Sequence, residues 1–253
     1  MDPAAPANFY TGIVVDVYGP LRGSTPDAES CAVFIRRSGE PALELGCGSG
    51  DPLLTLVESG LEVEGLDSSP DMLARLESDA TDRGLDVTTH LSAMETMDLG
   101  RRYRSIFLAG PTFNLLPDDA AASQALERIA AHLEPDGAAL IPLFIPEPVP
   151  EQHLGVAREH VEDSGRRLRV TAASCEHDAA TRTQITMLRY EIIDGDHVQA
   201  VEKPWLLHWY SQDQFTELAT AVGLEVRAIN GLDGLPAPTD CPFFTCELRQ
   251  GAG

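Results

Sequence analysis

At 253 residues, 43% hydrophobic and 23% charged, the chain is long enough for one large α/β domain, or for a core domain with a substantial insertion, and can bury a sizeable core. No run approaches about 18 apolar residues, and MDPAAPANFY has no basic stretch leading into an apolar one, which argues against a membrane span and a secretory signal. The formal charge of −22, from 40 acidic against 18 basic side chains, opposes docking on nucleic acid or on an anionic membrane surface, where Lys and Arg supply the affinity.

In chain order, residues 8–37 are moderately amphipathic and broken at Gly19-Pro20 and at Pro26. That pattern predicts two short helices, the second capped near Ser24–Thr25 with Pro26 in its first turn. PALELG reads as a buried strand ending in glycine, and DPLLTLVESG as a short helix bracketed by Asp-Pro and Gly. LEVEGLD is a second strand, SSPDMLARLESDATDRG a helix opened by Ser69, Pro70 and Asp71, and DVTTHL a third strand. YRSIFLAG (103–110) makes a fourth strand. Residues 118–133 carry Leu126, Ile129 and Leu133 at helical spacing, and GAALIPLFIP is a fifth strand, apolar throughout as an interior parallel strand should be. Strands alternating with helices imply a doubly wound parallel sheet with right-handed crossovers.

The rhythm changes after Pro146. EPVPEQHLG is Pro-rich and loop-like, and residues 166–177, 182–193 and 197–209 read as strands of an antiparallel insertion, with Gly195 in a tight turn. SQDQFTELATAVG (211–223) is a capped helix, and LEVRAI and PFFTCEL are closing strands. The chain thus divides into an N-terminal segment, 1–39, a core of 40–146 with 211–253, and an insertion, 147–210, that would roof a pocket or contact a second copy in a homodimer. The cysteines (Cys31, Cys47, Cys175, Cys241, Cys246) are odd in number and form no CxxC pair, which fits reduced thiols in a cytoplasmic protein and no zinc site.

The stretch ALELGCGSGD places Gly46, Gly48 and Gly50 in the first strand-to-helix turn, where an open parallel sheet binds ligands and where glycine lets the main chain approach them. Asp67 ends the next strand, placed to take two ribose hydroxyls. The spacing is G-x-G-x-G, with Asp51 where a dinucleotide fingerprint has its third glycine, and a carboxylate there would repel pyrophosphate. A GK[ST] phosphate loop is also missing. The preferred ligand therefore has adenosine, no phosphate, and room for positive charge, which are properties of S-adenosylmethionine.

With these residues the chain resembles the class I S-adenosylmethionine-dependent methyltransferases. ALELGCGSG is similar to their first motif and VEGLDSSPDMLARL to their second strand and following helix, so the resemblance covers most of 40–146 and extends to the helix–strand pair at 211–229. It implies a Rossmann-like, mostly parallel seven-stranded sheet. Glu44 and the turn from Gly46 through Cys47, Gly48 and Gly50 would surround the methionyl end, with Ala109 beside them. Asp67 would hold the ribose, and Ser68 and Met72 would lie against adenine. LSAMET resembles the adenine-edge loop, making Ala93, Met94 and Glu95 candidates, although Ser92 stands where that loop usually has an acidic residue. Met72 and Met94 read equally well as core residues.

The family places acceptor-binding groups after the fourth strand. LAGPTFNLLPD lacks the [DN]-P-P-[YF] signature of nucleobase and glutamine methylation, and its Thr112, Phe113 and Asn114 are similar to those of enzymes acting on small metabolites. NFYTGIVVDVYGPL resembles the helical lid of small-molecule enzymes, including those that methylate amino groups of antibiotic sugars. Tyr10 and Tyr18 would then sit over the cofactor, or else only pack the lid on the core. In LLHWYSQDQF, strand alternation sends His208 and Tyr210 to one face and Trp209 to the other. His208 is the general-base candidate by chemistry, with a structural histidine as the alternative. His153 and His160 are seven apart on a possible helix, but no third ligand is evident and no metal is expected. The reading is a methyl transfer to an amine of a small specialised metabolite, as in antibiotic biosynthesis. O-methylation, an S-adenosylmethionine-binding protein without activity, and an NAD-dependent oxidoreductase remain open.

Overall fold

The computed structural model describes residues 6–22 and 27–251. Its larger sheet contains β1 (Ala42–Leu45), β2 (Val63–Asp67), β3 (Thr89–Leu91), β4 (Tyr103–Phe107), β5 (Leu133–Phe144), β10 (Leu224–Asn230) and β11 (Phe243–Gln250), in the order β10-β11-β5-β4-β1-β2-β3. The first five strands pair in parallel, while β11 runs antiparallel to both β5 and β10. From β1 the chain winds outward to β2 and β3, then returns to β4 on the other side. The order reverses between β1 and β4, and the crevice at their carboxyl ends is where such sheets bind ligands.

Local chemistry accounts for these elements. All four residues of β1 are buried, as expected of a strand covered on both faces. One layer of core joins Leu43, Leu45 and Ile106 to Leu126 and Ile129 of α6 (Asp119–His132), and another joins Ala42, Leu53 and Leu56 to Phe34 and Ile35 of α3 (Ala28–Ser38). Ser69 caps α5 (Pro70–Arg83) by accepting from Met72 N–H, and Gly84 ends it in the left-handed region at φ 67°. Ser211 and Gln214 form a reciprocal capping box on α7 (Gln212–Ala221).

The second sheet is antiparallel: β6 (Ala157–Val161), β7 (Arg167–Asp178), β8 (Thr183–Asp194) and β9 (His197–His208), in that order. Leu168, Val170, Tyr190 and Ile192 of its inner face pack against Phe9 of α1 (Pro6–Phe9) and Val14 and Val17 of α2 (Ile13–Leu21), a core separate from that of the large sheet. The strand β6 was not legible as such because all five of its residues, AREHV, are exposed and show no alternation. His160 therefore lies on a strand, not on a helix with His153.

Other boundaries also move. The described part of the N-terminal segment holds three helices where two were expected, because the chain breaks between Phe9 and Ile13, with Gly12 at φ 59°, while Gly19-Pro20 falls in the last turn of α2. The cap expected at Ser24–Thr25 with Pro26 lies outside the described residues; Asp27 caps α3, accepting from Glu29 N–H. The strand β3 begins only at Thr89, and β5 begins earlier than expected, at Leu133. Among the described residues no helix is long and apolar enough to cross a membrane.

The junction between α1 and α2 is fixed from three directions. Lys203 of β9, the chain's only lysine, donates to the carbonyls of Asn8 (2.7 Å), Phe9 (2.8 Å) and Thr11 (3.3 Å) and to Thr11 Oγ1 (2.6 Å). Ser69 Oγ donates to Tyr10 O at 2.5 Å, and Gly12 N–H donates to Asp71 Oδ2 at 2.8 Å. Bonds from a charged donor contribute about 1.5–3 kcal/mol each at most, and they share one ammonium here. Lys203→Met is expected to lower unfolding stability by about 1.5–3 kcal/mol in denaturant titration, with Lys203→Arg recovering part of the loss.

Candidate active site

Two clefts meet at the β1–β4 crevice and share Gly46 and Thr112. The first is walled by Asp67 and Ser68 after β2, by Ala93, Met94 and Glu95, and by Tyr10 from above. The second is walled by Glu44, Cys47 and Gly48 of the glycine turn, by Ala109, and by Tyr18 and Arg22. Together they make one elongated groove along the crevice. A third cleft, of about 340 Å³, lies between the N-terminal helices and the inner face of the second sheet. It shares Tyr10 with the first cleft, and Tyr18 and Arg22 with the second. Its volume suits a small molecule.

The glycine turn has the geometry its sequence implied. Gly46 sits at φ 69°, and a Cβ there would lie 2.6 Å from Thr112 Cγ2. Gly48 sits at φ 52°, so its N–H turns to donate to Asp67 Oδ2 at 2.8 Å. Ser69 N–H donates to the other oxygen of Asp67, also at 2.8 Å. The carboxylate is thereby locked to both loops of the crevice, while its burial pushes its pKa up against the lowering effect of these bonds. Gly50, at φ 96°, serves packing: a Cβ would press on Leu54 and Leu76.

Glu44 is 1% exposed, and its Oε2 has no hydrogen-bond partner among the described residues. Burial, helped by the charge of Asp67, pushes its pKa up to about 8. A buried carboxyl oxygen left unpaired beside an open groove calls for a polar ligand group. That orphan, the glycine cradle and the fixed Asp67 fit a nucleoside with a charged amino-acid tail: Asp67 and the Ala93–Glu95 loop for the adenosine half, Glu44 and the glycine turn for the methionyl half. Among the described residues, no group of three or more His, Cys, Asp or Glu is placed to hold a metal.

Several residues expected at the site lie elsewhere. Met72 is 2% exposed and packs in the core beneath Ser69. Phe113 contacts the rings of Tyr210 and Phe215 in the large-sheet core. Asn114 is a brace: its Nδ2 donates to Phe144 O and His208 O, and its Oδ1 accepts from Phe144 N–H. Trp209 stacks on His177, with ring centroids 4.7 Å apart. His208 Nε2 lies 2.9 Å from Asp119 Oδ1 at the start of α6, its ring edge against Tyr210. Tyr210, also expected at the acceptor, is fully buried against Phe113, His208 and Phe215. None of these six lines any of the three clefts. Sequence reasoning also missed residues that do line them: Arg22, paired with Asp51, and Tyr190, Trp205, Gln184 and Thr186 on the insertion. Strand alternation, which puts Gln184, Thr186 and Tyr190 on one face of β8, was the available signal.

The fold and groove are those of a nucleoside-binding α/β transferase. Residues 42–137 match the methyltransferase domain family. The chain is 29% identical over 238 residues, 90% of each chain, to the dTDP-3-amino-3,6-dideoxy-alpha-D-glucopyranose N,N-dimethyltransferase of Streptomyces fradiae. It is 25% identical over 224 residues to the dTDP-3-amino-3,4,6-trideoxy-alpha-D-glucopyranose N,N-dimethyltransferase of Streptomyces venezuelae, covering 88% of this chain and 86% of that one. Among solved structures, the CcbJ methyltransferase from Streptomyces caelestis superposes with a TM-score of 0.77 at 21% identity, covering both chains fully (100%). The protein is an S-adenosylmethionine-dependent methyltransferase of Rossmann-like fold.

Two measurements check this assignment of residues to the groove. Asp67→Ala should weaken S-adenosylhomocysteine binding about 10–100-fold by calorimetry, the loss of one or two charge-assisted bonds; unchanged affinity would remove Asp67 from the ribose site. In the ligand-free protein Glu44 keeps a proton that the unfolded chain releases above its ordinary pKa of 4.5. Its contribution to stability is therefore complete below that value and is lost as the pH rises towards about 8. Melting temperatures across this range should fall more steeply for the wild type than for Glu44→Gln.

Proposed function

We propose that the protein methylates the amino group of a small amino sugar or closely related amine. The acceptor lies in the cleft between the N-terminal helices and the second sheet, and the segments 1–39 and 147–210 supply its walls. The observation that carries this reading is the chemistry of those walls. Among the described residues, none that lines the cleft is a carboxylate or a histidine. Its titratable aromatic groups are Tyr10, Tyr18 and Tyr190, each pushed above the ordinary tyrosine range, chiefly by burial. Near neutral pH these phenols are hydrogen-bonding groups and not bases.

An amine brings its own lone pair, whereas a hydroxyl usually needs a base to develop one. A base-poor cleft therefore favours nitrogen over oxygen. When bound, S-adenosylmethionine supplies an electrophilic methyl on a sulfonium and takes up the electron pair of the broken carbon–sulfur bond. The chain's part is alignment: Tyr10 and Tyr18 stand where the acceptor cleft joins the groove, their rings edge to face at 5.2 Å, with Trp205 lining the cleft beside them. Near-attack alignment is worth ~7–11 kcal/mol. Aromatic faces also favour the positive charge that nitrogen acquires, by about 0.5–2 kcal/mol.

The amine-methylating relatives support the same acceptor class. Net charge −22 and five unpaired cysteines support a cytoplasmic enzyme acting on a free small molecule without a nucleic-acid partner.

The test has two stages. S-adenosylhomocysteine at about 100 times its dissociation constant should raise the melting midpoint roughly 5–10 °C, with NAD inert. Incubation with a dTDP-linked amino sugar should then add methyl mass to the sugar nitrogen, while the corresponding sugar with a hydroxyl in place of the amine stays unmodified. Methylation of the hydroxyl compound alone would overturn the reading. His208→Gln should leave kcat/KM within about threefold while lowering the melting temperature, because the imidazole is a brace; a loss of about 10²–10⁴-fold would restore it as a base.

A further inference from the structure

The inner face of the second sheet changes character along its length. At one end Leu168, Val170, Tyr190 and Ile192 pack against the N-terminal helices. At the other, β8 presents Gln184 and Thr186, each only 3% exposed, at the two alternate positions that continue the same face into the acceptor cleft. A carboxamide in such a place is expensive to bury unless its hydrogen bonds are made. Half of them are.

His177 lies directly across the β7–β8 ladder from Gln184, and its Nδ1 is 3.0 Å from Gln184 Oε1. The carboxamide oxygen accepts, so the ring carries its proton on Nδ1. The ring itself is held by stacking on Trp209 at an interplanar angle of 18°. With its oxygen engaged, Gln184 can turn only its N–H groups to the cleft, and its Nε2 has no hydrogen-bond partner among the described residues. Thr186 repeats the arrangement one pair along. It lies opposite Cys175, donates its hydroxyl proton to Cys175 Sγ at 3.8 Å, and keeps its oxygen lone pairs for the cleft. Two neighbouring side chains thus offer an oriented donor and an oriented acceptor to whatever occupies the cleft, and each is fixed by a cross-strand partner outside it.

We propose that Gln184, held by the positioning residue His177, donates to the 4-hydroxyl oxygen of a 3-amino sugar, on one of the two carbons beside the acceptor amine. The enzyme thereby selects acceptors that keep this hydroxyl over those that lack it. The assignment rests on the amine-acceptor reading of the third cleft and adds to it the group that discriminates among amines. A polar group set to bond a substrate hydroxyl is left buried and unpaired by the analogue that lacks it, and that penalty is the source of the selection.

The acceptors named for the two Streptomyces relatives form a matched pair for the test, since the 3,6-dideoxy sugar keeps the 4-hydroxyl beside the 3-amino group and the 3,4,6-trideoxy sugar lacks it. Both dTDP-linked sugars would be assayed with the wild type, Gln184→Leu and His177→Phe. The last keeps an aromatic ring against Trp209 and removes Nδ1. The wild type should prefer the 4-hydroxyl acceptor by about 10–100-fold in kcat/KM. Gln184→Leu should erase the preference by raising KM for that acceptor and lowering it for the trideoxy sugar, which then leaves no buried amide unpaired, with kcat moving less than KM. His177→Phe should raise KM for the 4-hydroxyl acceptor by a smaller factor, and it decides the question if the leucine variant does not fold. An unchanged melting shift with S-adenosylhomocysteine would show that each variant keeps its groove. Equal loss on both acceptors, or a preference that survives both substitutions, would overturn the role of Gln184 alone. Methylation of neither sugar by a wild type that binds S-adenosylhomocysteine would bring down the amino-sugar reading, and this inference with it.

Discussion

The site depends on one ammonium group. Lys203 rises from β9 into the turn between two short helices and gathers the main-chain oxygens of Asn8, Phe9 and Thr11 where a four-residue helix ends. Helices of four and nine residues have little stability of their own in water. They are held in place by this clamp, by the apolar face they bury on the second sheet, and by the bonds from Ser69 and to Asp71. Those last two come from the start of α5, directly after Asp67. The segment carrying Tyr10 is therefore tied at once to the strand end that fixes the ribose-side carboxylate and to the sheet that walls the acceptor cleft. Tyr10, Tyr18 and Arg22 of this segment are the wall that the groove and the third cleft share.

Burial sets the charge state of what surrounds that wall. Among the groups that line the crevice are the carboxyls of Glu44 and Asp67 and the phenols of Tyr10 and Tyr18, and burial is the largest influence on each of these four, raising every one. The four respond differently because their partners differ. Asp67 has backbone donors on both oxygens, so its negative charge is well supported. Glu44 has an orphan oxygen and keeps its proton to higher pH. The phenols have no cation strong enough to offset desolvation; even Arg22, which lowers Tyr18, is engaged with Asp51. On the proposed assignment a sulfonium-bearing ligand would meet Asp67 at its nucleoside end and, at its methionyl end, a carboxyl able to ionise in response to a cation.

How much of this the sequence disclosed follows the range of the interactions. The glycine turn and Asp67 were legible because backbone geometry is written locally: positive φ at Gly46 and Gly48 needs glycine whatever surrounds it. The strands β1, β2 and β4 were legible because each is a short, mostly buried run rich in apolar residues. The strand β6 was not, since an edge strand exposed at every residue carries no periodic signal. Lys203 stood out in the sequence by being alone, yet its partners lie some 190 positions earlier, a distance no local pattern spans. Gln184 looked like an ordinary polar strand residue until the ladder set it opposite His177.

His208 separates chemical type from position most clearly. Its residue type suits proton transfer, and alternation correctly placed it on the face opposite to Trp209. A base must reach the reacting group, however, and that depends on which element the strand end meets. The end of β9 meets the start of α6, where Asp119 binds both His208 and Arg182. Arg182 occupies the left-handed turn between β7 and β8, at φ 56°, so the three side chains fasten the far end of the insertion to the core. At that point the imidazole supports the sheet whose other residues face the acceptor. The polar lining of the cleft is then phenols, an indole, a carboxamide, a hydroxyl and the guanidinium groups of Arg22 and Arg158, and none of these is a base near neutral pH.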